Sequence, residues 1–224
     1  MSQPQIIERH VTAPLSGEVI ASLNVGEVVY LSGVVYTARD GVYGHMLVSG
    51  HEPPVDLSAL TNVTFQSSPA GAEVSPGVYK VSSLQATAGF RYAQYMPDLM
   101  ERYGVKVVVG KAGMSEELYR DVFKKHGAVC LTTMGYGLGA QYGKAIKSVV
   151  DVFWVEELGI SEALWILEVD ELGPLLVEGD AQGNGYFTQV NNDINDQLAE
   201  LYEGLKPPVY RRIGEEQRPD RELF

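Results

Sequence analysis

Gly104-Val-Lys-Val-Val-Val-Gly-Lys-Ala-Gly-Met-Ser-Glu-Glu-Leu-Tyr-Arg-Asp-Val-Phe-Lys-Lys-His-Gly-Ala-Val-Cys-Leu-Thr132 reads as a strand, a helix and a second strand in succession. Val105 to Val109 is a continuous apolar-rich strand, which suits a sheet covered on both faces. Ser115 to His126 has an amphipathic helical pattern. Ser115 stands at the N-cap, and Glu116 and Glu117 lie near the positive end of the helix dipole. Ala128 to Thr132 is again a buried strand.

The same alternation continues on either side. Pro97–Tyr103 and Gly139–Val149 are helical in pattern, Val152–Val155 is a strand, and Ala163–Val169 and Leu175–Glu178 supply two more. Alternating β and α segments predict an α/β domain with part of its sheet parallel. Towards the N-terminus, Thr12–Ser16 caps a short helix over Gly17–Leu23. Val25–Thr37 is β-rich, interrupted at Gly33, and ends in the turn Ala38-Arg-Asp-Gly41. His51–Gly77 is dense in Pro, Ser and Gly, with one strand at Asn62–Gln66; another begins at Val78–Val81. Lys206–Phe224 reads as an extended charged tail that orders against a partner. The expected organisation is one domain over 1–205 followed by this tail over 206–224.

A formal net charge of −12 argues against nucleic acid, whose phosphates would be repelled without a basic patch. Lys124-Lys125 and Arg211-Arg212 are isolated doublets. No apolar run approaches the roughly 20 residues that span a bilayer. Met1-Ser-Gln-Pro-Gln has no secretory pattern, so a cytoplasmic location is expected. Cys130 is the one cysteine among 224 residues, which excludes an intrachain disulfide and a thiolate cage for zinc or an iron–sulfur cluster. Its apolar neighbours make it a core residue. The histidines, His10, His45, His51 and His126, lack metal-ligand spacing.

Three segments place cations beside small residues just after expected strands: Tyr36-Thr-Ala-Arg39-Asp40, Gln85-Ala-Thr87-Ala-Gly-Phe-Arg91, and Val109-Gly110-Lys111-Ala-Gly113. Glycine lets backbone approach a ligand, arginine grips carboxylates, and open α/β sheets bind ligands at strand ends. Two other motifs are weaker. Gly104 to Lys111 has one residue too many for a phosphate-binding loop, and Ala112 replaces the required hydroxyl. Gly135-Tyr-Gly137-Leu-Gly-Ala140, with Glu156 downstream, fits a dinucleotide fingerprint. Too little chain follows for the second half of such a fold, and a tight turn packing helix on strand explains it better.

At these loops the chain resembles the β-type domain of class I fumarases and L-tartrate dehydratases. Leu31-Ser-Gly33 with Thr37-Ala-Arg39-Asp40 matches that family's Leu-Ser/Thr-Gly and Arg-Asp signature. Thr87 to Arg91 stands where the family has its Thr-Thr-x-x-Arg loop, and Gly110-Lys111-Ala112-Gly113 where it has Gly-Lys-Gly-Gly. Lys125-His-Gly-Ala-Val129, Glu157-Leu-Gly159, Ala163-Leu-Trp165, Glu168-Val169 and Asp180-Ala-Gln-Gly-Asn184 follow in family order. The match spans about Leu15 to Phe187.

The resemblance implies a swivelling β/β/α domain with a mixed sheet and flanking helices. It also implies a reversible hydro-lyase acting on a dicarboxylate, with fumarate/malate expected and L-tartrate or a substituted fumarate the alternatives. Thr87 and Lys111 take the catalytic positions; Arg39 and Arg91 take the substrate-binding ones. A [4Fe–4S] cluster is expected on a separate α-type subunit, giving a hetero-oligomer, with a homodimer for the isolated chain. A non-catalytic assembly subunit is the rival from another class. The departures are Gln85-Ala86 for Gly-Pro, Ala88 for the second threonine, Gly89, and Phe90 before Arg91. Tyr43 also stands where the family often has histidine. Phe90 reads as a core side chain, with a pocket-lining position as the alternative.

Overall fold

A computed structural model describes residues 6–111, 113–135 and 137–204. The chain divides into two compact units, Met1–Thr188 and Gln189–Phe224. The expected tail, 206–224, lies outside the described residues. The second unit holds most of the helix Tyr186–Tyr202. No helix among the described residues is long and apolar enough to cross a membrane.

The first unit is a mixed α/β structure around a seven-stranded sheet. Its strands are β1 (Glu8–Ala13), β2 (Val28–Thr37), β3 (Val63–Phe65), β6 (Val107–Gly110), β7 (Val129–Thr133), β8 (Ile146–Phe153) and β9 (Leu164–Gly179). β4 (Ser67–Ser75) and β5 (Val78–Ala86) form a separate antiparallel hairpin. The order is β1-β2-β3-β6-β7-β9-β8, with an additional β2–β9 pairing that closes part of the sheet on itself. β1, β2, β3, β6 and β7 run parallel, and β9 runs antiparallel to β2, β7 and β8.

Strand alternation sends successive side chains to opposite faces, and here both faces are covered. Val107, Val109, Val129, Leu131, Trp165 and Leu167 enter one core layer, while Val108, Cys130, Leu164 and Ile166 enter the other. This explains the apolar-rich run Val105–Val109, interrupted only by Lys106. The second layer is completed by Tyr43, Met46, Tyr92, Met96, Leu99, Tyr119 and Phe123 from the helical segments.

The helices Gly17–Ser22 and Met96–Tyr103 match the sequence reading, and Ser16 caps the first through the Val19 N–H. Glu116 to His126 is helical throughout, with a π-type turn over Tyr119–Phe123. The Ser115 hydroxyl accepts the Leu118 N–H, as the N-cap reading requires.

Several expectations are corrected. Asp40–Tyr43 is helical and continues into a π-type turn, Gly44–Val48, where only a turn was read. The helix at Gly139 stops at Lys144, and the stretch assigned to its second half opens β8. Its pairing with β9, Ile146 opposite Val169, overrides the local helical pattern. Ala163–Val169 and Leu175–Glu178 belong to one 16-residue strand, with Gly173-Pro174 accommodated inside it. β1 and β4 were not foreseen.

The Gly139–Lys144 helix lies close against β5. A Cβ on Gly143 would lie 2.4 Å from the Ser82 carbonyl oxygen, and one on Gly139 would lie 3.0 Å from that of Leu84. Both glycines therefore seat the helix against β5.

Candidate active site at the carboxyl ends of the parallel strands

The ends of β2, β3 and β6 lie side by side, and backbone hydrogen bonds carry their pairing into the loops beyond. The Ala38 N–H donates to Phe65 O at 3.1 Å, and the Gln66 N–H donates to Val109 O at 2.7 Å. Gln66 O in turn accepts the Thr87 N–H at 2.6 Å. The Lys111 N–H donates to Thr87 O, and the Gly89 N–H to Lys111 O, both at 3.0 Å. Thr87 and Lys111, about two dozen residues apart in the chain, are thus bound together through their main chains. Ala88 and Lys111 form an isolated parallel bridge at the same place.

The third loop joins through ion pairs. Arg91 follows Gly89 in a 3₁₀ turn, Gly89–Tyr95, which brings its Nη2 within 2.6 Å of Asp40 Oδ2. The Tyr92 hydroxyl donates to the same oxygen at 3.2 Å. Burial, with Asp40 alongside, pushes the Tyr92 phenol above its ordinary value. Since Arg91 and Asp40 are each nearly half exposed, their pairing contributes at most about 1 kcal/mol. Its importance is geometric.

Arg39 is more enclosed. Its Nη1 lies 3.0 Å from Glu162 Oε1, the two side chains being 22% and 25% exposed. Glu162 Oε2 accepts the Gly41 N–H at 3.0 Å. One carboxylate therefore fixes the arginine and covers an orphan donor at the start of the Asp40–Tyr43 helix, whose N-cap offers no side-chain acceptor. Arg39 Nε is buried without a hydrogen-bond partner. A guanidinium has five N–H donors, so pairing with one carboxylate does not exhaust either arginine.

All three cation-bearing loops meet: Thr87 with Lys111 directly, and Arg91 with Asp40, beside Arg39. The structure adds participants that no motif announced. Gln66 is fully buried between the Thr87 and Lys111 segments, and its Oε1 has no hydrogen-bond partner. A Cβ on Gly110 would come within 2.7 Å of that oxygen, and one on Gly89 within 3.2 Å, so both glycines make room for the amide. Glu178 reaches the Gly113 N–H from β9, and Glu162 orients Arg39. Glutamates this distant in sequence leave no local signal.

Phe90 is not a core residue. It is 60% exposed, and its ring stands 3.5 Å from the position of a Cβ on Gly113, at the seam between the two loops. The 3₁₀ turn buries Gly89 and Tyr92 and leaves the residue between Gly89 and Arg91 facing outward. Cys130 is buried, and burial, reinforced by nearby Glu178, holds its thiol well above the ordinary range. It is no nucleophile.

Comparison with known proteins identifies the family. The family described as Fumarase C-terminus matches residues 3–190. A Methanocaldococcus jannaschii protein, provisionally named L(+)-tartrate dehydratase subunit beta, is 34% identical over 185 residues, covering 81% of this chain and 92% of its own. The L(+)-tartrate dehydratase subunit beta of Escherichia coli K12 is 28% identical, covering 82% of this chain and 88% of its own. A Geobacillus stearothermophilus protein, provisionally named fumarate hydratase class I, is 31% identical over 88% of this chain but only 36% of its own length. The chain belongs to the fumarase C-terminus family.

Proposed function

We propose that the chain is the β subunit of a hydro-lyase that reversibly adds water across the double bond of a dicarboxylate. Support comes from the names of the relatives and from the site. The observation that carries the reading is the pairing of Thr87 with Lys111, flanked by Arg39 and Arg91.

In this scheme Thr87 moves the proton on the carbon next to a carboxylate. A threonine hydroxyl is too weak an acid to do so unaided, and adjacent cationic charge favours its ionised form. Removing that proton builds negative charge on the carboxylate, which Lys111, Arg39 and Arg91 would stabilise through fixed donors. Placing the two paired arginines on their loops in advance lowers the cost of ordering them when substrate arrives.

A [4Fe–4S] cluster of the kind expected for this family does not fit on this chain. Its one cysteine is buried in the sheet and supplies no set of thiolates. In this reading the cluster lies on an α-type partner.

The test is anaerobic co-expression with the cluster-bearing subunit, followed by assay of fumarate, malate and L-tartrate. Thr87→Ala and Lys111→Ala should each abolish turnover while the complex still forms. Near-normal activity in either variant would defeat the assignment. A complex that turns over no diacid would favour a non-catalytic assembly role. That rival draws on two observations: both arginines are already paired with carboxylates, and Phe90 is exposed beside the site.

A further inference from the structure

Glu178 is a buried carboxylate whose contacts reach the Lys111 segment. It lies on β9, 1% exposed. Its Oε1 accepts the Tyr119 hydroxyl at 2.6 Å and the Gly113 N–H at 3.0 Å. Its Oε2 is buried and accepts no hydrogen bond. Leaving an acceptor oxygen buried and unsatisfied is costly, and the two hydrogen bonds accepted by Oε1 offset part of the cost of burying this carboxylate.

The contacts of Oε1 show what the carboxylate does. Gly113 closes the segment Gly110–Gly113 that carries Lys111, and its φ of 114° lies in the region open to glycine. At one end that segment is held by the Thr87–Lys111–Gly89 hydrogen bonds; at the other, by Glu178. Tyr119, itself 2% exposed and in edge contact with Phe123, braces the carboxylate from the following helix. The Lys111 segment is thus held by the Thr87 segment at one end and by Glu178 of β9 at the other.

We propose that Glu178 is a positioning residue: by accepting the Gly113 N–H, it holds the Lys111 segment in register with Thr87. This rests on the reading of Thr87 and Lys111 as catalytic. The role belongs to the acceptor oxygen, so a neutral amide can fill it. A misplacement of about 1 Å at a catalytic group can cost about 100-fold in rate, which sets the scale of the effect.

The experiment compares Glu178→Gln and Glu178→Met with wild type in the assembled complex. Glu178→Gln keeps an oxygen for Gly113 and Tyr119 and should retain kcat within about threefold. Glu178→Met, of similar bulk without the acceptor, should lower kcat by about 10- to 100-fold with little change in KM. It leaves the Gly113 N–H and the Tyr119 hydroxyl without this acceptor, so its melting temperature should fall modestly, while the subunits should still associate. Independently of turnover, amide hydrogen exchange across residues 107–118 should accelerate in Glu178→Met and not in Glu178→Gln.

Three results would overturn the proposal: wild-type kcat and exchange in Glu178→Met; equal damage by both substitutions, which would point to the charge; or activity lost only in step with melting temperature. If the wild-type complex turns over no diacid, the functional reading fails. The exchange measurement still decides whether Glu178 anchors the Lys111 segment.

Discussion

Replacing Glu162 with alanine would remove two contacts at once, the Arg39 ion pair and the acceptor for the Gly41 N–H, each at 3.0 Å. Hydrogen bonds involving a charged group contribute about 1.5–3 kcal/mol each, but this carboxylate is one-quarter exposed and water will replace part of what is lost. A net destabilisation of about 2 kcal/mol follows. For a chain of this size that is a fall of roughly 4–8 °C in melting temperature.

The kinetic consequence follows from the same geometry. Without its carboxylate Arg39 loses its fixed orientation, so KM for the diacid should rise about tenfold while kcat changes by less than about threefold. Glu162→Gln retains an oxygen for Gly41 and should recover most of the stability. The assay is thermal melting of the chain and steady-state kinetics of the complex, repeated on an Arg39→Met background. There the Glu162 substitution should have little further effect on KM, because the residue acts through the arginine. A melting temperature within 1 °C of wild type, a KM within twofold, or full additivity with Arg39→Met would refute the reasoning.

Other outcomes follow from the same structure. Gly143→Ala would drive a methyl into the backbone of Ser82 and should destabilise by about 3 kcal/mol, read by thermal or urea unfolding. Phe90→Ala should shift stability by less than about 0.5 kcal/mol, whereas a core phenylalanine would cost about 3–5; a melting curve separates the two. Glu27, 5% exposed, is penalised by burial, yet Arg9 at two 3.0 Å contacts and the Asn24 N–H hold its carboxyl below the ordinary range. A depressed carboxyl contributes stability at neutral pH that is lost as pH falls through its folded value. Glu27→Gln should therefore flatten the acid limb of a pH–stability profile. Cys130 should resist thiol reagents in the folded chain and react on denaturation, since burial disfavours its thiolate.

Much of the fold was legible wherever periodicity and end signals agreed. The apolar runs at Val105 and Ala128 and the Ser115 cap identified two parallel strands and the helix between them, because both faces of that sheet are covered. What was missed depended on partners remote in the chain. Residues 145–149 have a helical pattern, yet pairing with β9 makes them a strand. Ala163–Val169 and Leu175–Glu178 read as two strands, yet both pair with β2 as parts of one strand that runs through Gly173-Pro174. At the site, Arg39, Thr87, Arg91 and Lys111 were recognisable as cations and a hydroxyl after strands. Gln66, Glu162 and Glu178 were not, because a buried carboxylate or amide acts here through position alone. Phe90 was misread because an aromatic residue in a short turn follows the turn's geometry before its own hydrophobicity.

The β2–β9 pairing has a kinetic consequence. Tyr36 meets Ile166 across about 130 residues of intervening chain, and that seam completes only after β9 has been synthesised. Loop closure of that length delays the reward from non-local contacts, so refolding should be slow for the size of the domain. Until the seam forms, β2 and β7 present unsatisfied edges to other chains. The interval before closure is when this protein is most exposed to aggregation, and dilution during refolding should improve its yield.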